Sequence, residues 1–194
     1  MKKMHTEERR EQITEAAIKI IGEQGLRAFT VMKVANEVGI KDSTIFRHFK
    51  SKDEIVSSVL DKLDTIMEET VFSEKSNPLE RLGEFLMKRV TLLSNQPGVR
   101  SLVFSDQLIH AGGESGLERV TALRKKAQEH IESCLIEADQ KNLLRAHLPL
   151  ENILVIFHGM VMGLLFLAES NLFEDAVEQR TEEIWQTFLS MIRR

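Results

Sequence analysis

Cysteine, proline and glycine are scarce in this 194-residue chain, and each scarcity excludes a class of protein. The single cysteine, Cys134, has no second cysteine with which to form an internal disulfide. Three prolines and ten glycines are too few for a linker-rich or low-complexity chain, and an apolar content of 42% argues against disorder. A chain of this length can therefore bury a core as one large or two small domains.

Long apolar segments are also missing. The N-terminal residues, MKKMHTEERREQ, contain no apolar stretch like that of a signal peptide. The longest apolar run, Ile153 to Ala168, is interrupted by His158 and is shorter than the ~20 residues that a membrane-spanning helix needs. We therefore expect a cytoplasmic protein without membrane contact, in which this run forms a buried or subunit-contacting helix.

Charge is distributed unevenly along the chain, whose overall net charge is −4. Residues 1–52 contain 11 Lys and Arg against 7 Asp and Glu, so the remaining residues have a net charge of −8. Opposite net charges of this kind indicate a small basic N-terminal region that binds an anion and an acidic remainder with a different function. Chance clustering of solvated charges is the alternative.

Apolar residues recur at helical spacing almost everywhere, and no segment has the strict alternation expected of strands. This pattern predicts an all-α protein of about nine helices. Two short helices joined by a glycine-containing turn predict a helix-turn-helix on a three-helix support. We assign it to an N-terminal domain, residues 1–52, followed by a C-terminal helical domain, residues 53–194.

Capping residues predict where the first helices begin and end. Thr6 opens the first helix, which Gly25 stops, and Thr30 opens the second, which ends at Gly39. A third helix covers about 42–48. Ser51 and Asn77 are the N-cap residues predicted for the fourth and fifth helices, the latter with Pro78 at its first position.

Glycine and proline also mark the predicted boundaries in the second half of the chain. The sixth helix covers about 99–110 and is ended by Gly112-Gly113. The capping-box sequence Ser115-Gly116-Leu117-Glu118 opens a seventh, Pro149 opens an eighth, and a ninth begins at about Glu174.

The predicted third helix has one anchored and one free face. Ile45 and Phe49, four residues apart, point into the core. Short polar side chains at its start allow entry into a major groove ~12 Å wide, and Arg47 is the side chain best suited to reach base edges. The free face comprises Lys41, Asp42, Ser43, Thr44, Phe46, Arg47 and His48.

Two segments of the N-terminal region, Phe29–Ile40 and Ser43–Ile55, resemble the DNA-binding domain of TetR/AcrR-type transcriptional regulators. The resemblance covers roughly residues 8–56, about a quarter of the chain. It implies a homodimeric repressor with an N-terminal DNA-reading domain and a C-terminal helical domain for ligand and dimer contacts. The phosphate contacts usual in the family fall on Thr44, Phe46, His48 and Lys52.

The sequence departs from the family pattern at Lys41, Ser43 and Phe46, where most relatives have Ser or Thr, Gly, and Tyr. Phe46 has no hydroxyl to donate to a phosphate, so its contact is apolar. Since Lys41 cannot cap a helix, Asp42 or Ser43 is expected to take the N-cap role. The predicted DNA-contacting residues are Thr30, Lys33, Lys41, Ser43, Thr44, Phe46, Arg47, His48 and Lys52.

The C-terminal region contains methionine, phenylalanine and histidine residues suited to an apolar ligand cavity, although such residues also build ordinary cores. The candidate pocket residues are Met67, Phe85, Met87, Phe104, His110, Met160 and Met162. The predicted eighth helix is apolar on nearly every face, which indicates a symmetric helical dimer interface. The candidate interface residues are His158, Gly159, Gly163, Phe166, Trp185, Phe188 and Ile192.

Catalytic and metal-binding signatures are missing. The sequence has no Glu-x-x-His or His-Glu-x-x-His pair, no Gly-x-Ser-x-Gly and no phosphate-binding glycine-rich loop. We therefore expect no enzyme activity, no cofactor and no metal site. The expected partners are a pseudo-palindromic operator, a second copy of the chain and a small apolar or amphipathic effector. The alternative is a DNA-bound protein of the same fold whose C-terminal domain binds a partner protein.

Overall fold

The computed structural model describes residues 6–146, 148–170 and 176–194, and the regular elements among them are all helices. The all-α prediction is thereby confirmed, as is the number of about nine helices within this range. A short 3-10 turn, Leu26–Ala28, follows the first helix. The helices are α1 Thr6–Gln24, α2 Val31–Val38, α3 Asp42–Ile45, α4 Lys52–Val71, α5 Pro78–Asn95, α6 Pro97–Phe104, α7 Gln107–Gln140, α8 Leu150–Ser170 and α9 Val177–Ile192.

The helices form two compact units. The first unit comprises the chain up to Ile66 together with Gln96–Arg124, and the second comprises Met67–Asn95 and Lys125–Arg194. Each unit is thus built from two separate stretches of the chain. The boundary predicted at residue 52 between an N-terminal and a C-terminal domain stays a prediction.

The core of the first unit forms where α6 packs against α1. The buried side of α1 includes Ile13, Ala17 and Ile21, as its helical spacing predicts. The two backbones meet at a pair of glycines, because a Cβ on Gly22 would lie 2.4 Å from the Cα of Gly98. Only glycine allows helices to approach so closely at this point.

The core of the second unit forms where α5 packs against α8 and α9. Its aromatic members are Phe85, Phe157, Trp185 and Phe188, whose neighbouring ring centres lie 5.9–6.5 Å apart. Gly83 leaves room for the indole, since a Cβ there would lie 2.6 Å from Nε1 of Trp185. Aromatic burial of this kind supplies a large share of the apolar area of a small core.

Three of the predicted helix starts have the expected caps. The Thr30 hydroxyl accepts from the Lys33 N–H at 3.2 Å, and the Ser51 hydroxyl accepts from the Glu54 N–H at 3.1 Å. The side-chain oxygen of Asn77 accepts from the Leu79 N–H at 2.9 Å. These bonds satisfy N–H groups that lack partners at the start of a helix.

The predicted break between the sixth and seventh helices is wrong. Helix α6 ends at Phe104, and α7 begins at Gln107 and runs through Gly112-Gly113 and through the predicted capping box at Ser115. Glycine costs a helix only about 1 kcal/mol per residue, so neighbouring turns can carry the helix through it. The predicted start of the ninth helix at Glu174 lies outside the described residues.

Candidate functional site

The turn between α2 and α3 sets the direction of the second helix of the predicted helix-turn-helix. Gly39 adopts the left-handed conformation, with φ of 72°. Its N–H donates to the Asn36 carbonyl at 3.1 Å, and the Ile40 N–H donates to the Ala35 carbonyl at 2.9 Å. This pair of bonds closes the end of α2 and turns the chain sharply into α3.

Helix α3 is shorter than the sequence predicts, ending at Ile45 instead of about residue 48, and turns complete it. Ile45 and Phe49 are fully buried, as their spacing predicts. The N-cap prediction is wrong: Lys41 occupies that position without a side-chain bond, and the Asp42 carboxylate accepts from the Ser43 N–H at 2.7 Å. The Asp42 carboxylate thus accepts a hydrogen bond within the first turn of α3, at the end where the helix dipole favours negative charge.

The predicted DNA-contacting residues lie mainly on the surface of the first unit. Thr44 and His48 are half-buried. The exposed members are Thr30, Lys33, Lys41, Ser43, Phe46, Arg47 and Lys52. Phe46 is 56% exposed, which is unusual for a phenylalanine and leaves its ring open to an apolar contact.

The cations at the edge of this surface are held in different ways. Lys33 donates to the side-chain oxygen of Gln24 at 3.0 Å. The Lys52 ammonium lies 4.9 Å from the centre of the Phe29 ring, at the first residue of α4. Since neither lysine has a carboxylate partner in these contacts, both charges are free to meet a phosphate.

Arg10 is a positioning residue that sequence reasoning missed. Its guanidinium lies 4.0 Å from the centre of the Phe49 ring, donates to the His48 carbonyl and contacts the Glu54 carboxylate at 3.2 Å. The Lys50 N–H also donates to Glu54, at 2.6 Å, and this bond and Arg10 lower the pKa of that carboxyl. Arg10 thereby fixes His48 and Phe49, which follow α3, to α1 and α4. An arginine near a charged N-terminus gives no signal of such a role.

His48 sits inside this arrangement with its Nδ1 buried and without a hydrogen-bond partner among the described residues. Burial and the charges of Arg9, Arg10 and Arg47 lower the pKa of the imidazole below its usual value. The ring is therefore neutral at pH 7 and offers a hydrogen bond, not a charge.

The candidate pocket residues fall in both units. Phe104 and His110 are exposed residues of the first unit, and the other five belong to the second. In the second unit Met67 and Phe85 are buried, and both of them contact Arg89. The side chains of Met87 and Met160 are half-buried, whereas that of Met162 is exposed. Their assignment to a ligand site stays a prediction.

The candidate dimer residues divide by helix. Trp185, Phe188 and Ile192 of α9 are buried in the core of the second unit. The exposed apolar surface lies on α8, where Gly159 and Gly163 have open space around their Cα atoms and Phe166 is 64% exposed. His158 is exposed beside them, and its Nδ1 lies 2.9 Å from the Leu154 carbonyl. The dimer assignment itself stays a prediction.

Helix α8 is also long and apolar enough to cross a membrane, judged by length and composition alone. Helices of soluble assemblies can meet the same criterion. Within the described parts of the chain, no group of three His, Cys, Asp or Glu side chains is placed to hold a metal ion.

Comparison with known proteins identifies the N-terminal motif. Residues 13–59 match the family model described as bacterial regulatory proteins, tetR family. The chain is 28% identical over 163 residues to the transcriptional regulator SrpR of Pseudomonas putida, which covers 82% of this chain and 75% of that protein. It is 34% identical over 86 residues to the fatty acid metabolism regulator protein of Bacillus subtilis, covering 43% and 44% of the two chains. The match therefore spans less than half of that second relative.

A third relative is named as a nucleoid occlusion factor, whereas the first two are named as regulators. The nucleoid occlusion factor SlmA of Marinomonas sp. is 25% identical over 166 residues, covering 79% of this chain and 81% of that protein.

Solved structures share the fold over nearly the whole chain. The ketosteroid transcriptional regulator KstR2 of Mycobacterium tuberculosis superposes with a TM-score of 0.75 at 20% identity, covering 96% of this chain and 95% of that one. FadR of Bacillus subtilis, in complex with stearoyl-CoA, gives 0.66 at 22% identity over 93% and 97% of the two chains. AibR, in complex with isovaleryl coenzyme A and operator DNA, gives 0.72 at 20% identity over 92% and 97%. With the matched N-terminal motif and this shared helical fold, the chain belongs to the TetR family of bacterial transcriptional regulators.

Proposed function

We propose that this protein is a homodimeric repressor that binds a pseudo-palindromic operator and is released from it by a small apolar or amphipathic ligand. The observation that carries the DNA-binding part is the geometry of α3. In α3 and the turn that follows it, the apolar residues Ile45 and Phe49 are fully buried, while Ser43, Phe46 and Arg47 are exposed, and a tight turn at Gly39 precedes them. A recognition helix needs this division between an anchored and a free face.

Each exposed residue has a distinct role in the proposed complex. Arg47 reads a base edge, because its guanidinium can donate two hydrogen bonds to a guanine. Lys52 contacts a phosphate together with the N-terminus of α4, where unpaired N–H groups favour an anion. Thr44 and neutral His48 donate hydrogen bonds to phosphates, and Phe46 contacts sugar or a thymine methyl group.

Two substitutions test this division of roles on an operator selected by the wild-type protein from a pool of random duplexes. Arg47→Ala is expected to weaken operator binding by about 1–3 kcal/mol and to relax specificity at one base position. Lys52→Ala is expected to weaken operator and scrambled duplex alike and to reduce the slope of log K against log salt by about one. Titrations at several salt concentrations measure both effects.

Lys125→Ala is the matched control, because it removes an exposed lysine of α7 that pairs with Glu129 at 3.1 Å. It should leave both the affinity and the salt slope unchanged. An unchanged slope for Lys52→Ala would contradict the phosphate contact, and a pool that yields no enriched sequence would contradict the proposed function.

The apolar surface of α8 supports the dimer. Val155 is 70% exposed, and Gly159, Met162 and Phe166 follow it at helical spacing on one exposed side. An apolar surface of this extent is costly in water, and pairing with the same helix of a second copy removes it. The glycines allow the two helices to approach closely.

The ligand part of the proposal is supported by ligand-bound structures of proteins with the same fold. Two of the similar structures were solved with coenzyme A thioesters of stearic and isovaleric acid. We propose an effector of the same general character for this chain, held by the C-terminal helical domain, residues 53–194. Its binding must be tighter in the state that does not bind DNA, since only differential affinity can release the operator.

The second candidate function is a DNA-bound protein whose C-terminal domain binds another protein, which the similarity to nucleoid occlusion factors favours. Thermal melting of the protein with a panel of acyl compounds, with and without operator duplex, separates the two. Stabilisation by a small molecule supports the sensor, and no stabilisation by any member of the panel favours the partner-binding protein. Both candidates place a non-enzymatic protein in the cytoplasm with its DNA.

A further inference from the structure

Arg89 is a charged side chain in the core of the second unit. It lies on α5, and only 5% of its surface is exposed. Its Nη1 lies 2.7 Å from the Met67 sulfur, its guanidinium carbon lies 4.9 Å from the centre of the Phe85 ring, and its Nε is buried without an acceptor in the described part of the chain. No carboxylate takes part in these contacts.

Other arginines with long-range contacts show what is missing at Arg89. Arg81, on the same helix, binds the carboxylate of Glu137, and Arg119 binds Asp61 and Asp64 at 2.7 Å each. Burial lowers the pKa of Arg89 to about 10, and no neighbouring acid raises it again. A buried guanidinium ordinarily has a carboxylate partner, because desolvating an unpaired charge is costly.

The present neighbours compensate this charge only weakly. A thioether is a poor acceptor, and one aromatic ring supplies a modest attraction. A methionine or leucine at position 89 would fill the same space without the desolvation cost. The arginine therefore has a use that its contacts within the chain do not explain.

The surroundings of Arg89 are apolar and retain one positive charge. The His130 ring lies 5.3 Å from Phe85, and its pKa is lowered by burial and by the charges of Arg81 and Arg89. His130 is thus neutral, and Arg81 is balanced by Glu137, which leaves the Arg89 charge uncompensated. This arrangement matches a molecule with one anionic group on an apolar body.

We propose that Arg89 binds the anionic headgroup of the effector, an amphipathic acid, in place of the Met67 sulfur. This inference rests on the proposed function as a ligand-responsive regulator. A guanidinium offers two parallel N–H donors, which a carboxylate accepts better than a sulfur does. Methionine has three flexible bonds, so its thioether can leave the guanidinium without disturbing the backbone at residue 67.

The exchange would act directly on α4. Met67 lies near the end of this helix, and the first residue of the same helix is Lys52, which we place at the operator. Replacement of the sulfur by a ligand oxygen therefore changes what holds a helix that also carries a DNA contact.

The experiment compares melting temperatures of the full-length protein with dodecanoate, with lauroyl-CoA and with dodecanol, the neutral molecule of equal chain length. Wild type should be stabilised by about 3 °C or more by an anionic compound and much less by the alcohol. A response to dodecanoate assigns the carboxylate as the headgroup, and a response to lauroyl-CoA alone assigns the phosphates.

Arg89→Met should melt at or above the wild-type temperature without ligand and lose the response to the anion. Arg89→Lys keeps the charge but not the paired donors, and should give a reduced shift. Lys125→Met, which removes an exposed charge from α7, should respond as wild type does.

An equal shift with dodecanol in wild type would overturn the proposal, and so would an undiminished shift in Arg89→Met. The same preparations are titrated with the selected operator duplex. A protein that binds operator but ignores all three compounds contradicts the role of Arg89 alone, whereas one that binds no operator contradicts the proposed function.

Discussion

His48 and His130 are two partly buried histidines, one in each unit, that lie close to arginines. For both, burial is the largest cause that lowers the pKa, and neighbouring guanidinium groups lower it further. The unfolded chain therefore binds protons more readily at these positions than the folded chain does. Acid consequently favours the unfolded state as the pH falls through the ordinary histidine pKa.

We predict that the free energy of unfolding is highest above about pH 6.5 and falls as the pH is lowered from about 7 to 5. His130→Gln should make this fall measurably shallower, because it removes a group that binds a proton more readily in the unfolded chain than in the folded one. Urea melts across this pH range provide the measurement. His110→Gln, at an exposed position on α7, is the control, and an unaltered pH dependence in His130→Gln would contradict the prediction.

Single residues differ in how well the sequence predicts them. Ile45 and Phe49 are buried as predicted, since spacing along a helix determines which side faces the core. Arg89 gave no signal, because a lone arginine in a helical pattern usually faces water. Its burial depends on contacts with Met67 and Phe85 that only the folded chain brings together.

At the scale of helices, the local sequence predicts a helix end correctly where a single residue satisfies the backbone hydrogen-bonding groups at that end. Thr30, Ser51 and Asn77 cap helices as predicted, and Gly39 ends α2 with a positive φ. The predicted stop at Gly112-Gly113 failed because helix continuity there depends on more than the local preference of glycine. The candidate site followed the same rule: the α3 surface was predicted, and the Arg10 contacts with Phe49 and Glu54 were not.

The contact between α1 and α6 yields a prediction about packing. Gly22→Ala should destabilise the protein by about 1–3 kcal/mol, because the added methyl group would lie 2.4 Å from the Gly98 backbone and force the helices apart. Alanine otherwise favours a helix over glycine, so the sign of the effect is diagnostic.

Urea unfolding of Gly22→Ala and of Glu23→Ala makes the comparison. Glu23 is the next residue of α1 and is exposed, so its substitution should change stability by no more than about 0.5 kcal/mol. A Gly22→Ala protein as stable as wild type would show that the helices adjust freely.

At the scale of the whole molecule, the central expectation is that two copies pair through α8. Gly163→Glu should abolish the proposed dimer and with it tight operator binding, because in that dimer each copy would read one half-site and the new carboxylate would be buried without a partner. The single chain should tolerate the change, since a side chain at Gly163 meets nothing within 4 Å.

Sedimentation and circular dichroism test the two parts of this expectation. The variant should sediment as a folded monomer, and Ser133→Glu, which adds the same charge to an exposed site on α7, should remain a dimer. Wild type that sediments as a monomer at micromolar concentration would refute the pairing without any variant.

The make-up of the first unit has a consequence for recombination between regulators. This unit joins the chain up to Ile66 with Gln96–Arg124, so the residues that support the recognition helix are not contiguous in the gene. A crossover at residue 52 would transfer Gly22 without the Gly98 backbone that packs on it. A DNA-binding segment that is exchanged between regulators must therefore include α6. Otherwise the regulator that receives it must supply a helix with glycine at the same point of contact.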